Sequence, residues 1–126
     1  MAKARVLVID DDQIVLDSIS QILTDANYDV DVTLIGGEGL DRAIRKDYAL
    51  VVIDIRMPDM GGIKVLRDIR RKRPALPVVM ITGYATAPSA EMAMKLGAAD
   101  FIEKPFEPEA LLETVASALQ TARTPS

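Results

Sequence analysis

Short, continuously apolar runs rich in β-branched residues recur along this chain, and segments of helical periodicity separate them. Residues 6–9, 50–53 and 78–81 read VLVI, LVVI and VVMI. A strand without polar alternation has both faces buried, which requires a helical layer on each side of its sheet. In the segment 14–26, Val15, Leu16, Ile19, Ile22, Leu23 and Ala26 recur at spacings of three and four, the mark of a helix with one buried face. Val30, Val32 and Leu34 alternate with polar or small residues and predict an edge strand. Gly36, Gly37 and Gly39 are expected to loosen the chain before a short helix over residues 40–46. Pro58 and Gly61-Gly62 mark a loop, after which Ile63, Val65, Leu66 and Ile69 predict a helix ending before Pro74. Pro88 starts a helix through Met92 and Leu96 that Gly97 ends. Phe101 and Ile102 form a short fifth strand. Beyond Pro105 and Pro108, Leu111, Leu112, Val115 and Leu119 define a closing helix. Five βα units with short connections predict a doubly wound, three-layer α/β sandwich. The pattern leaves the strand order open.

The 126 residues suffice for one core. With two Phe, three Tyr and no Trp, that core must be aliphatic. Neither Cys nor His occurs, which excludes thiolate chemistry, disulfides and imidazole or thiolate metal sites from the chain. A metal would therefore bind through oxygen, favouring Mg²⁺, Mn²⁺ or Ca²⁺. The formal charge of −4 argues against general binding to nucleic acid or an anionic membrane. The N-terminus MAKARVLVIDDD reads as neither a signal peptide nor a membrane span, so a cytoplasmic protein is expected. The basic run RDIRRKR, residues 67–73, falls late in a helix, where cations meet the dipole favourably, and reads as a solvated face.

The chemistry sits at the ends of the apolar runs. Asp10, Asp11 and Asp12 follow the first, Asp54 ends the second, Thr82 follows the third before Gly83, and Lys104 follows the short fifth strand of Phe101 and Ile102. Parallel sheets of α/β proteins place their sites at the carboxyl ends of strands. Carboxylates clustered there repel one another and favour a cation. One of Asp10 and Asp11 can ligate directly while the other acts through water. Asp12 either turns to solvent or caps the next helix. Lys104 and Thr82 can meet phosphoryl oxygens, and Asp54 can act as a nucleophile that forms an acyl phosphate.

The pieces VLVIDDD, DIRMPDMGG, VVMITGYA and MKLGAADFIEKPF, in this order and spacing, resemble the receiver domain of two-component response regulators, the CheY-like superfamily. The resemblance covers roughly residues 4–120. It implies a flavodoxin-like fold whose five-stranded parallel sheet has the order 2-1-3-4-5. The expected domain spans residues 1–120, with residues 121–126 a tail or the start of a linker. By the same resemblance Asp54 is the phospho-acceptor. Mg²⁺, or Mn²⁺ in its place, is held by Asp10, Asp11, Asp54 and the backbone carbonyl of Arg56, with Asp11 favoured as the direct carboxylate ligand of the Asp10–Asp11 pair. Thr82 and Phe101 match the switch hydroxyl and switch aromatic, and Lys104 the family's lysine, usually followed by a cis bond to proline. Arg56 and Tyr84 resemble positions that tune phosphoryl lifetime.

The implied donor is a sensor histidine kinase or a histidine phosphotransfer protein. The implied output face is helix 4, strand 5 and helix 5, roughly residues 86–120, which pairs with a second receiver or binds a target. The protein is expected to be a switch and not an enzyme in its own right. MKLGAADFIEKPF resembles receivers joined to transcription modules. Gly61-Gly62 departs from the more usual polar residue followed by glycine, and a more permissive loop is expected there. Two other readings compete: a non-phosphorylated scaffold of the same fold, and a phosphatase of the haloacid dehalogenase type built on Asp10 and Asp12. The second lacks that family's Thr or Val two residues past Asp12, where this chain has Ile14.

Overall fold

Side chains alternate across a strand, so each continuous apolar run needs cover on both sides. The computed structural model, which describes residues 3–83 and 87–123, supplies it. The elements are β1 (Arg5–Ile9), α1 (Gln13–Asp25), β2 (Asp29–Thr33), α2 (Gly36–Arg45), β3 (Leu50–Asp54), α3 (Gly62–Lys72), β4 (Val78–Thr82), α4 (Ala87–Lys95), β5 (Asp100–Glu103) and α5 (Pro108–Arg123). The strands form a parallel sheet in the order β2-β1-β3-β4-β5. Leu7, Ile9, Val51, Ile53 and Met80 face one core with residues of α2, α3 and α4. Val6, Val8, Leu50, Val52, Val79 and Ile81 face the other, with α1 and α5. Both the fold class and the strand order implied by the resemblance are thus present. Among the described residues no helix is long and apolar enough to cross a membrane.

The three glycines expected to loosen the chain instead lie inside α2, which begins at Gly36. At Gly36 and Gly39 the reason is close packing. A Cβ at Gly39 would stand 2.6 Å from Ile9 Cγ1, and one at Gly36 would stand 3.0 Å from Met57 Cε. Glycine costs a helix about 1 kcal/mol relative to alanine, and here that cost brings α2 down onto the sheet. Helix α5 runs to Arg123, three residues past the expected domain boundary. Gly97 follows α4 with φ +100, the left-handed conformation expected of a helix-ending glycine.

The basic run at the end of α3 divides by role. Arg70 donates to the carbonyl of Leu76, and Arg73 to the carbonyls of Ala43, Ile44 and Lys46 at the end of α2. Arg67, Arg71 and Lys72 are exposed, as a solvated face requires.

Gly61-Gly62 is less permissive than its composition implies. Nothing lies within 4 Å of a Cβ built at Gly61, whereas one at Gly62 would stand 2.8 Å from the Cα of Ile55 and closer still to the carbonyl of Asp54. Backbone atoms cannot swing aside as a side chain can. Gly62→Ala should therefore lose about 1–3 kcal/mol of stability. Gly61→Ala should change it by less than about 0.5 kcal/mol. Urea unfolding of the two variants beside the parent checks the contrast.

Candidate acidic site

The parallel register brings four strand ends to one edge. Ile9 pairs with Ile53, Asp54 with Ile81 and Thr82 with Glu103. Asp10 continues the parity of Val6 and Val8, Asp54 that of Leu50 and Val52, and Lys104 that of Ile102, all of which face α1 and α5. Lys104 Nζ lies 2.9 Å from Asp10 Oδ2 and 3.2 Å from Asp54 Oδ2. The other oxygens of these acids take backbone donors: Asp10 Oδ1 accepts from the Asp12 N–H at 3.0 Å, and Asp54 Oδ1 from the Arg56 N–H at 3.1 Å. Asp10 and Asp54 are buried, at 1% and 6% exposure, while Asp11 is exposed. The peptide bond between Lys104 and Pro105 is cis.

Burial pushes the Asp10 carboxyl above its ordinary range. The Lys104 hydrogen bond and the Asp12 amide oppose the rise, and the charge of Asp54 adds to it. For Lys104, burial pulls the other way, yet the hydrogen bond to Asp10 and the charges of Asp10 and Asp54 lift its ammonium above its usual value. Carboxylate oxygens of Asp10, Asp11 and Asp54 come within 4.8 Å of one another. Opposite ligands of an octahedral Mg²⁺ are about 4.2 Å apart, so small side-chain adjustments suffice for an oxygen-binding divalent cation. Three carboxylates against one ammonium also favour it. The donor set fits a hard cation.

The other predicted residues differ in their placement. Thr82 is buried at the end of β4, and its carbonyl accepts from the Lys104 N–H at 2.7 Å. Phe101, on β5, is half-buried against the α2–α3–α4 core and stands apart from the acids. Arg56 is exposed beside a cleft of about 400 Å³ lined by Asp11, Ile55, Arg56, Met57, Pro58 and Gly61. Tyr84 lies outside the described residues. Asp12 takes the second of its two expected roles, capping α1 by accepting from the Ile14 N–H at 2.9 Å.

Two residues carried no role in the sequence reading. Ile14 is 79% exposed and lines a second cleft with Val15, Ser18, Lys104, Pro105 and Phe106. Its signal was available, because it falls outside the apolar stripe of α1. Asp59 accepts from the Gly36 and Gly37 N–H groups, a contact across 22 and 23 residues that no local pattern announces.

A family model described as the response regulator receiver domain matches residues 6–116. The chain is 43% identical over 123 residues to the C4-dicarboxylate transport transcriptional regulatory protein DctD of Pseudomonas aeruginosa, covering 97% of this chain and 26% of that protein. It is 37% identical over 120 residues to the transcriptional regulatory protein FixJ of Bradyrhizobium diazoefficiens, covering 95% of this chain and 58% of that one. It thus spans a quarter to three fifths of these relatives. Among solved structures, a CheY-like response regulator receiver domain protein from Methanospirillum hungatei superposes with a TM-score of 0.93 at 34% identity, covering 97% of this chain and 98% of that one.

The raised Asp10 value has a consequence for stability. A carboxyl that titrates higher in the folded chain than in the unfolded one disfavours folding once it is ionised, and folding regains that energy as pH falls through the raised value toward the ordinary one. In metal-free buffer at pH 7, Asp10→Asn should therefore unfold at a higher temperature than the parent. The difference should shrink as pH falls toward about 4 and be gone below it. Thermal unfolding across pH measures both.

Proposed function

The chain belongs to the response regulator receiver domain family, and from that premise we propose that it accepts a phosphoryl group on Asp54 from a phosphohistidine of a sensor histidine kinase or histidine phosphotransfer protein. The observation that carries the reading is the convergence of Asp10, Asp11, Asp54 and Lys104 at one sheet edge. In the transfer, an Asp54 carboxylate oxygen forms a bond to phosphorus while the phosphorus–nitrogen bond breaks. The imidazole keeps that electron pair, and Asp54 becomes an acyl phosphate. The Lys104 ammonium, already between Asp10 and Asp54, offsets negative charge on the phosphoryl oxygens. Asp10, Asp11, Asp54 and the carbonyl of Arg56 would hold Mg²⁺, or Mn²⁺ in its place. When bound, that cation neutralises carboxylate and phosphoryl charge and orients the oxygens.

Thr82 then turns its hydroxyl to the phosphoryl group, and Phe101 moves inward behind it. The change is passed to the α4–β5–α5 face. That face engages a second receiver, an output domain or a target protein. The transcriptional regulators among the relatives support a transcriptional output. Ile14 and its cleft beside Lys104 offer the donor an apolar contact. Later, water attacks phosphorus, inorganic phosphate leaves, and the Asp54 carboxylate is restored. Arg56 and Tyr84 slow this step by obstructing the water. The protein works in the cytoplasm as a switch that assists only its own phosphorylation and dephosphorylation.

Intact mass after incubation with Mg²⁺ and acetyl phosphate tests the reading. The parent should gain one phosphoryl group, and Asp54→Asn or added EDTA should abolish the gain. A parent that gains none from either acetyl phosphate or a phosphorylated histidine kinase would favour the scaffold. Once phosphorylated, Arg56→Asn should lose its phosphoryl group faster than the parent. An unchanged or slower loss would remove Arg56 from the lifetime role.

A further inference from the structure

We propose that Asp59 is a positioning residue for the acidic site, strapping the β3–α3 loop to the N-terminus of α2 and so setting how tightly the site holds Mg²⁺. The inference rests on the reading in which the carboxylates and the Arg56 carbonyl hold that cation. A helix leaves its first N–H groups without intrahelical partners. The residue before α2 is Ile35, whose side chain makes no capping hydrogen bond. Asp59 fills the role from the far side of β3, one oxygen accepting from the Gly36 N–H and the other from the Gly37 N–H, each at 3.0 Å. These amides hold its carboxyl below the ordinary range. An N-cap is usually supplied from the residue just before the helix, and this one fastens two loops together.

The fastened loop forms a wall of the site. Its base is closed by the Gly62 N–H donating to the Ile55 carbonyl at 2.8 Å, and the Arg56 N–H is bound to Asp54. Asp59 secures the tip. Between base and tip lie Arg56, Met57 and Pro58, which line a cleft together with Asp11 of the acidic cluster. The contact has no slack, since a Cβ at Gly36 would stand 3.0 Å from Met57 Cε and 3.1 Å from the Met60 carbonyl. Releasing Asp59 therefore frees the segment that carries the Arg56 carbonyl.

The test compares Mg²⁺ affinity by calorimetric titration with MgCl₂ in the parent, Asp59→Ala, Asp59→Asn and Arg73→Ala. Arg73→Ala is the control, because it loosens α2 from its other end without touching the loop. Asp59→Ala should bind Mg²⁺ more weakly by on the order of tenfold, as for other groups that orient metal ligands. Asp59→Asn, which keeps one acceptor oxygen, should fall between it and the parent. Arg73→Ala should melt earlier and bind as the parent does. Equal affinity in the parent and both Asp59 variants would overturn the proposal, as would equal weakening in Arg73→Ala. If Asp59→Ala does not fold, Asp59→Asn against the parent and Arg73→Ala decides. A parent that binds no Mg²⁺ overturns the functional reading itself, a result distinct from the others.

Discussion

One ammonium group holds the candidate site together. Lys104 Nζ stands between Asp10 and Asp54, reaching them from a strand end separated from β1 by β3 and β4. Two carboxylates within 4.8 Å of each other repel by on the order of 3 kcal/mol at an effective dielectric constant near 20. The two shorter Lys104 contacts each attract by somewhat more, so one lysine offsets the repulsion between Asp10 and Asp54. It does not also balance Asp11. The site is left with excess negative charge and oxygen donors alone, a combination that favours a hard divalent cation and, with it, a phosphoryl group.

The sheet register makes that contact possible, and most of the register's causes were legible in the sequence. The runs VLVI, LVVI and VVMI require a buried parallel sheet because they leave no polar face. Each run's carboxyl end carries its own polar residue, so the acids, Thr82 and Lys104 had to share an edge once the strands were parallel. The strand order was not legible from periodicity. Strand patterns record which faces are buried and carry no record of neighbours. Only the resemblance supplied the order, and the structure has it.

Local sequence pattern misleads where contacts are distant and shape-driven. Gly36, Gly37 and Gly39 carry the signature of a loose loop, because local propensity penalises glycine in a helix. Tertiary packing overrides that preference at Gly36 and Gly39, where Met57, Asp59 and Ile9 need the space that side chains would occupy. Arg73 likewise looked like a solvated cation and instead binds the carbonyls that end α2. Both ends of α2 are thus tied to α3 or to the loop before it. Gly62 shows the same logic on a smaller scale, a glycine kept for close approach to the backbone of Asp54 and Ile55.

The central claim is that the carboxyl of Asp54 is the group that receives phosphorus. Borohydride reduces an acyl phosphate to an alcohol, converting an aspartyl phosphate to homoserine, and peptide mass mapping locates the change. After phosphorylation in the presence of Mg²⁺, this account predicts homoserine at position 54, with Asp10, Asp11 and Asp12 unaltered. Homoserine at one of those three positions and not at 54 would contradict it.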